Sequence, residues 1–77
     1  MTRAKVSAKV LEAHRRHKQI LEILEKGSQP REYLEMQRLS RSLRWLEQHG
    51  AVTVGTRYPR WVHITDAGRK RLQDMRE

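Results

Sequence analysis

Apolar residues recur at helical spacing in the first third of the chain. They are Val10, Ala13, Ile20, Leu21 and Leu24, with His17 at the position between them. Intervals of three, four and seven residues place these side chains on one face of an amphipathic helix. Ser7 is a candidate cap for this helix and Gly27 a candidate stop. The pattern therefore predicts a long first helix between these two residues.

A second helical pattern follows and ends at Gly50. Its apolar positions are Met36, Leu39, Leu43 and Leu46. Leu34 falls about 180° from Leu43 on the same helical wheel, so one continuous helix from Pro30 would place Leu34 on the polar side. We therefore predict a short helix opened by Pro30 as a first-turn residue, a tight turn, and a second helix from about residue 35 to residue 49.

After Gly50, the apolar residues recur at every second position, as they do in a β-strand. Valines alternate with Thr53, a loop with Gly and Pro spans residues 55–60, and Trp61, Val62 and Ile64 follow. This pattern is typical of a two-stranded hairpin. Thr65 then caps a last helix from Asp66 to about Met75. The predicted fold is mainly α with a small β-hairpin, an α+β class, in a single domain over residues 1–77.

Composition adds a strong positive charge. The 77 residues include 17 Lys or Arg against nine Asp or Glu, a formal net charge of +8, and there is no cysteine. No segment approaches the ~20 apolar residues of a membrane span, and the N-terminus lacks the apolar stretch of a secretory signal. We expect a soluble cytoplasmic protein that does not interact with membranes. The excess of positive over negative side chains favours a phosphate-rich partner.

Two short motifs resemble those of a known class of bacterial regulators. L-S-R-S-L-R-W-L-E-Q-H-G-A-V, residues 39–52, is similar to the segment that leads from the recognition helix into the wing of MarR-type and ArsR-type proteins. I-T-D-A-G-R-K-R-L, residues 64–72, resembles their I/L-T-x-x-G-x-x-x-L segment after the wing. The resemblance covers about residues 36–72. It implies a winged helix-turn-helix fold and a small, repressor-like transcriptional regulator, located with the nucleoid, that binds double-stranded DNA sequence-specifically.

The side of the second helix opposite its leucines is rich in Arg and Gln. The side chain of Arg can form two hydrogen bonds with the edge of guanine, and that of Gln can form two with adenine. We expect Gln37, Arg38 and Arg41 to make such contacts with bases in the major groove. Ser40 and Ser42 could reach phosphates. The full set on this predicted recognition helix is Gln37, Arg38, Ser40, Arg41, Ser42, Arg44 and Gln48. An ordinary solvated helix face is the alternative interpretation.

The predicted hairpin loop is basic as well. Its candidate DNA contacts are Thr56, Arg57, Tyr58 and Arg60, and residues 51–64 contain no acid. A wing of this kind would lie on the phosphate backbone or in a narrow minor groove. A solvated turn is again the alternative. Trp61 is expected to be a sheet residue that covers the core rather than a base-stacking platform.

Trp45 and two histidines are candidates for roles other than contact with DNA. Trp45 falls on the polar side of its helix, so it either closes against the N-terminal helix or forms an interface such as a homodimer contact. His14 and His17 have a spacing that can chelate a metal. Because no carboxylate occupies the next turn and cysteine is absent, we expect no metal site and a semi-buried packing role for His17. No cofactor is expected.

Other functions remain open at this point. No catalytic motif or paired acids in a plausible pocket support an enzyme. The alternatives are a winged helix that binds another protein within a larger assembly, and an architectural or excisionase-like DNA protein of a virus or plasmid. RNA is not excluded as the ligand, and the oligomeric state is undetermined. Residues 1–6 would form either a flexible basic arm or part of a solubilising surface.

Overall fold

The computed structural model describes residues 8–76 of the chain. These residues form a mainly helical structure with a small antiparallel sheet of strand order β1-β3-β2, which confirms the predicted α+β class. The elements are α1 (Ala8–Lys26), β1 (Gln29–Pro30), α2 (Arg31–Met36), α3 (Ser40–Gln48), β2 (Val52–Val54), β3 (Trp61–Ile64) and α4 (Asp66–Arg76). The proposed basic arm (1–6) and the predicted cap Ser7 lie outside the described residues.

One strand was missed by the sequence analysis. Gln29 pairs with Val62 and Pro30 with Trp61, which adds β1 to the predicted β2–β3 hairpin as an edge strand. Pro30 was predicted in the first turn of a helix, but it precedes α2 with extended dihedral angles, φ −66° and ψ 142°. An edge strand accepts proline because the missing N–H is not needed for pairing on that side.

The boundary between α2 and α3 differs from the predicted one. The break lies at residues 37–39, so the helix predicted from about residue 35 to 49 begins about five residues later than expected. Arg38 adopts a left-handed conformation, with φ 60°. Its N–H donates to Glu35 O at 2.9 Å, and Leu39 N–H donates to Leu34 O at 3.0 Å. These two bonds close α2 and turn the chain toward α3.

The core lies where α1, α2, α3 and α4 meet the inner face of the sheet. Its buried apolar residues are Ile20, Leu21, Leu24, Leu34, Leu39, Leu43, Leu46, Ala51, Val52, Val62 and Leu72. Two positions of the predicted apolar helix faces are exposed instead: Val10 by 56% and Met36 by 82%. Met36 is the last residue of α2, where the helix turns away from the leucines of α3.

Helix α3 ends at a glycine that the structure requires. Gly50 has φ +73°, a left-handed conformation that residues with a Cβ rarely adopt. Its N–H donates to Glu47 O, and Ala51 N–H donates to Leu46 O at 2.9 Å. This double closure is a Schellman motif, and it directs the chain from α3 into β2.

The T-D-A-G sequence fixes α4 against the start of β2. Thr65 Oγ1 accepts a hydrogen bond from Gly68 N–H at 3.0 Å and donates one to Gly50 O at 2.6 Å. Thr65 N–H donates to Ala51 O at 3.0 Å. A Cβ on Gly68 would lie 2.1 Å from Ala51 O. Thr65 therefore caps α4 as predicted, and Gly68 allows the helix to approach the backbone of residue 51.

Candidate nucleic-acid interface

The exposed side of α3 carries two arginines and a glutamine. Arg41, Arg44 and Gln48 are all exposed, while Leu43 and Leu46 on the other side are fully buried. Spacings of three and four residues place the three polar side chains along one helix face. The structure thus brings these three predicted contact residues together on one surface.

The other predicted residues of this helix lie elsewhere. Gln37 and Arg38 are exposed, but they belong to the turn before α3. Ser40 is half-buried in the first turn of α3. Ser42 is only 7% exposed, so its predicted contact with a phosphate was wrong. Ser42 lines a groove between α1 and α3 together with Ala13, and we leave it out of the interface.

The loop between β2 and β3 is exposed along its length. Its candidate contact residues, Thr56, Arg57, Tyr58 and Arg60, all face solvent, and Tyr58 is 82% exposed. The loop is closed at its base by a hydrogen bond from Gly55 N–H to Trp61 O at 2.9 Å. Its four predicted residues therefore extend from the sheet on a fixed base.

Helix α2 holds the same loop from the side. Arg31 N–H donates to Arg60 O at 2.6 Å, and Arg60 N–H donates to Glu32 Oε1 at 3.3 Å. Sequence reasoning missed Glu32 as a positioning residue. The available signal was an acid in the first turn of a short helix, which the helix dipole also favours. Because α2 leads directly into the turn before α3, these bonds link the loop to α3.

Acidic side chains neutralise some of the arginines but not those of α3 or the loop. Within residues 8–76 the ion pairs join Arg16 to Glu12, Arg31 to Glu35, and Arg76 to Glu22 and Glu25. The arginines of the turn, α3 and the loop have no acidic partner in this part of the chain; they are Arg38, Arg41, Arg44, Arg57 and Arg60. Their guanidinium groups remain available for an anionic ligand.

Trp45 lies in a stack of rings between α1 and α3. Its ring is 4.4 Å from that of His17 and 3.7 Å from that of His49, with interplanar angles of 14° and 19°. His49 Nδ1 donates to Trp45 O at 2.8 Å. The guanidinium carbon of Arg71 on α4 is 5.0 Å from the Trp45 ring centroid. Of the two predicted roles for Trp45, packing against the N-terminal helix is confirmed.

An open groove of about 670 Å³ borders this stack between α1 and α4. Its lining includes His14 and Lys70 besides the stacked residues. Burial lowers the pKa of His17 below its usual 6.5, and the nearby His14, Arg71 and His49 lower it further. His17 is half-buried, as predicted. Residues 8–76 contain no group of three side chains arranged to hold a metal ion.

Trp61 does not cover the core. It is 47% exposed on the face of β3 opposite the buried Val62. The prediction failed because period-two spacing does not reveal which of the two faces meets the helices. Trp61 is consequently an exposed aromatic residue next to the basic loop.

Comparison with known proteins gives no relative for the chain. No protein-family model, curated protein or solved structure matches it. None of the helices described in residues 8–76 is long and apolar enough to cross a bilayer. We therefore infer a function from the arrangement of the side chains and from the two short motifs.

Proposed function

We propose that the protein binds double-stranded DNA sequence-specifically as a small, repressor-like winged helix-turn-helix regulator. In this proposal α2, its turn and α3 form the helix-turn-helix, and β2, β3 and their loop form the wing. The observation that carries it is the row of arginines without acidic partners on α3 and the loop. Such side chains are suited to phosphates and guanine edges.

Helix α3 would enter the major groove. An α-helix with its side chains is about 10–12 Å in diameter, which matches the ~12 Å width of that groove. Arg41 and Arg44 would donate to guanine O6 and N7, and Gln48 to adenine. Arg38, in the preceding turn, would contact a phosphate or a base at the same edge.

The β2–β3 loop would lie on the adjacent backbone. Arg57 and Arg60 would contact phosphates or enter a narrow minor groove. The bonds from α2 hold Arg60 in place before DNA arrives, which reduces the entropy lost on binding. Glu32 is then a positioning residue, because its carboxylate bonds to the loop backbone and not to the ligand.

The test is a titration of a labelled random duplex at two salt concentrations. The wild type should bind, and its affinity should fall steeply as salt rises, because phosphate contacts release counterions. The double variant Arg41→Ala/Arg44→Ala should bind about 10- to 100-fold more weakly. The matched control is Arg69→Ala/Lys70→Ala, which removes the same charge from exposed positions of α4 and should lose much less affinity.

Two outcomes would contradict this function. Equal losses in the two double variants would show that only net charge matters and not the face of α3. Absence of binding at low salt would favour a winged helix that contacts another protein, which should form complexes that are insensitive to salt. Competition with duplex RNA tests the remaining ligand class, since A-form RNA has a deep, narrow major groove that side chains cannot read.

A further inference from the structure

The side of the sheet turned away from the core carries an aromatic surface. Directly opposed residues of antiparallel strands share a face, so Pro30 lies beside Trp61 and Thr53 beside His63. His63 Nδ1 is also hydrogen-bonded to Ser28 Oγ. We call these residues, with Tyr58, Arg57 and Arg60 of the adjoining loop, the outer sheet face.

Neither aromatic ring of this face is enclosed by the described residues. Trp61 is 47% exposed and Tyr58 is 82% exposed. The ring stacks and the cation–π contact found within residues 8–76 all involve Trp45 instead. An exposed tryptophan in a folded protein is typical of a surface that binds something flat or apolar.

The charge of the outer sheet face limits what that ligand can be. Arg57 directly precedes Tyr58 and Arg60 directly precedes Trp61 in the sequence, and residues 51–64 contain no acid. The carboxylate of Glu32 lies near Arg60, but it accepts the hydrogen bond from Arg60 N–H. A surface that combines arginines with exposed rings matches a ligand with both phosphates and flat bases.

The charge of the outer sheet face favours nucleic acid over a protein partner. The exposed residues of this face are aromatic, cationic, small or polar, and the aliphatic Val62 and Ile64 of the same strand belong to the other face. Trp, Tyr and Arg are also common in protein interfaces, so the feature that favours a phosphate-bearing ligand is the absence of any acid from residues 51–64. The backbone bonds at Gly55 and Arg60 also hold the face in place before a ligand arrives.

We propose that the outer sheet face binds unpaired nucleotides that continue from the duplex, with Trp61 and Tyr58 stacking on bases just beyond the duplex phosphates that Arg57 and Arg60 contact. The inference rests on the proposed DNA binding and deepens it. The ligand would be a duplex with a single-stranded extension, the duplex lying on α3 and the extension on the sheet. Bases inside a duplex are already stacked on each other, so an exposed ring gains most from a base that is unpaired.

The experiment compares labelled probes that differ only in the bases of the extension. They are a blunt duplex, the same duplex with an oligo-dT extension of about eight nucleotides, the same duplex with an abasic extension of equal length, and oligo-dT alone. Anisotropy titrations give the affinity of each. The abasic extension has the same phosphates and no bases, so the difference between the two extensions measures stacking.

We expect the oligo-dT extension to bind wild type about tenfold more tightly than the abasic one. Trp61→Ala should remove this difference while leaving the affinity for blunt duplex within about twofold. Trp61→Phe should retain part of it because a ring remains. The matched control is Leu11→Ala, which removes an exposed apolar side chain of α1, 52% exposed, and should leave the difference unchanged.

The outcomes separate this inference from the proposed function. Equal affinity of wild type for the two extensions overturns the inference, and this measurement needs no variant. A difference that survives in folded Trp61→Ala also overturns it. Binding of oligo-dT that depends on Trp61, without binding of blunt duplex, would support the outer sheet face and refute duplex recognition by α3. Binding of blunt duplex, with equal affinity for the oligo-dT and abasic extensions, would support duplex recognition by α3 and refute nucleotide binding by the outer sheet face.

Discussion

The two tryptophans lie in opposite environments. Trp45 is half-buried between two imidazole rings from α1 and α3, with an arginine of α4 above it. Trp61 is nearly half exposed on the outer side of the sheet. Both are followed within four residues by a histidine in the sequence, His49 and His63 respectively. Similar local composition therefore leads to a packed cluster in one region and to an open aromatic surface in the other.

The difference arises from how many elements converge on each ring. Three helices meet at Trp45, so its side chain connects α1, α3 and α4. At Trp61 the helices cover only the other face of a three-stranded sheet. A ring enclosed by its own protein contributes to stability, whereas an exposed ring is available to a ligand. We therefore expect Trp45 to act in folding and Trp61 in binding.

The largest expected effect is the loss of stability in Trp45→Ala. Removing this ring eliminates its contacts with His17 and His49 and leaves a gap between α1 and α3. We expect the free energy of unfolding to fall by about 3 kcal/mol. Trp61→Ala should change it by less than about 1 kcal/mol, since nearly half of this residue already contacts solvent. Urea unfolding followed by circular dichroism measures both.

Trp45→Ala and Trp61→Ala serve as matched controls for each other. Each removes the same atoms from a chain of the same length, so differences in the unfolded state largely cancel. Equal losses of stability would contradict the assignment of packing to Trp45 and binding to Trp61. Because Trp45→Ala could unfold a small domain completely, Trp45→Phe is the milder variant, and it should lie between wild type and alanine.

The next effect concerns the contact that brings α4 to Trp45. A Cβ at Gly68 would meet Ala51 O at 2.1 Å and Ile64 Cγ1 at 2.9 Å. Gly68→Ala therefore forces α4 away from β2, and Arg71 on the same helix away from Trp45. We expect a loss of about 2 to 3 kcal/mol, typical of overpacking against backbone. Thermal unfolding of the variant measures it.

Gly27→Ala is the matched control for Gly68→Ala. No atom lies within 4 Å of a Cβ at Gly27, in the segment between α1 and β1. The same substitution there should change stability by less than about 1 kcal/mol. If the two variants lost equal stability, the close approach of α4 to the backbone of residue 51 would not matter energetically.

The sequence predicted the helices and the hairpin because their signals are local. Thr65 and Gly50 mark helix ends through bonds to residues nearby in the chain, and the leucines of α3 identify its buried side. Strand β1 could not be predicted in the same way. It is two residues long, and it exists because Val62 and Trp61, more than 30 residues away, pair with it.

The candidate site was predictable in composition but not in detail. Arg41, Arg44 and Gln48 follow from helical spacing, and the loop arginines follow from the hairpin. The place of Arg38 in a left-handed turn depends on where α2 stops, and the burial of Ser42 depends on the packing of α1. The sides taken by the two tryptophans depend on contacts between elements distant in sequence. The spacing of apolar residues along the chain does not show which face of an element these distant contacts will cover.

The smallest effect concerns the pH dependence of stability near Trp45. Burial against the Trp45 ring lowers the pKa of His17 below its usual 6.5, and repulsion from His14, Arg71 and His49 lowers it further. The folded protein therefore favours neutral His17, and the unfolded chain takes up a proton first as the pH falls. The stability that neutral His17 provides is complete above pH 6.5 and is lost as the pH falls below it toward the folded pKa.

Replacing the imidazole by a ring that cannot be protonated isolates this effect. His17→Phe keeps a flat ring against Trp45, so the variant should lose less stability than wild type between about pH 8 and about pH 5. Urea unfolding at each pH gives the two curves, and their difference cancels the other titrating groups that both proteins share. Parallel curves would mean that the surroundings of Trp45 do not disfavour a charge on His17. The contrast with the exposed Trp61 would then rest on packing alone.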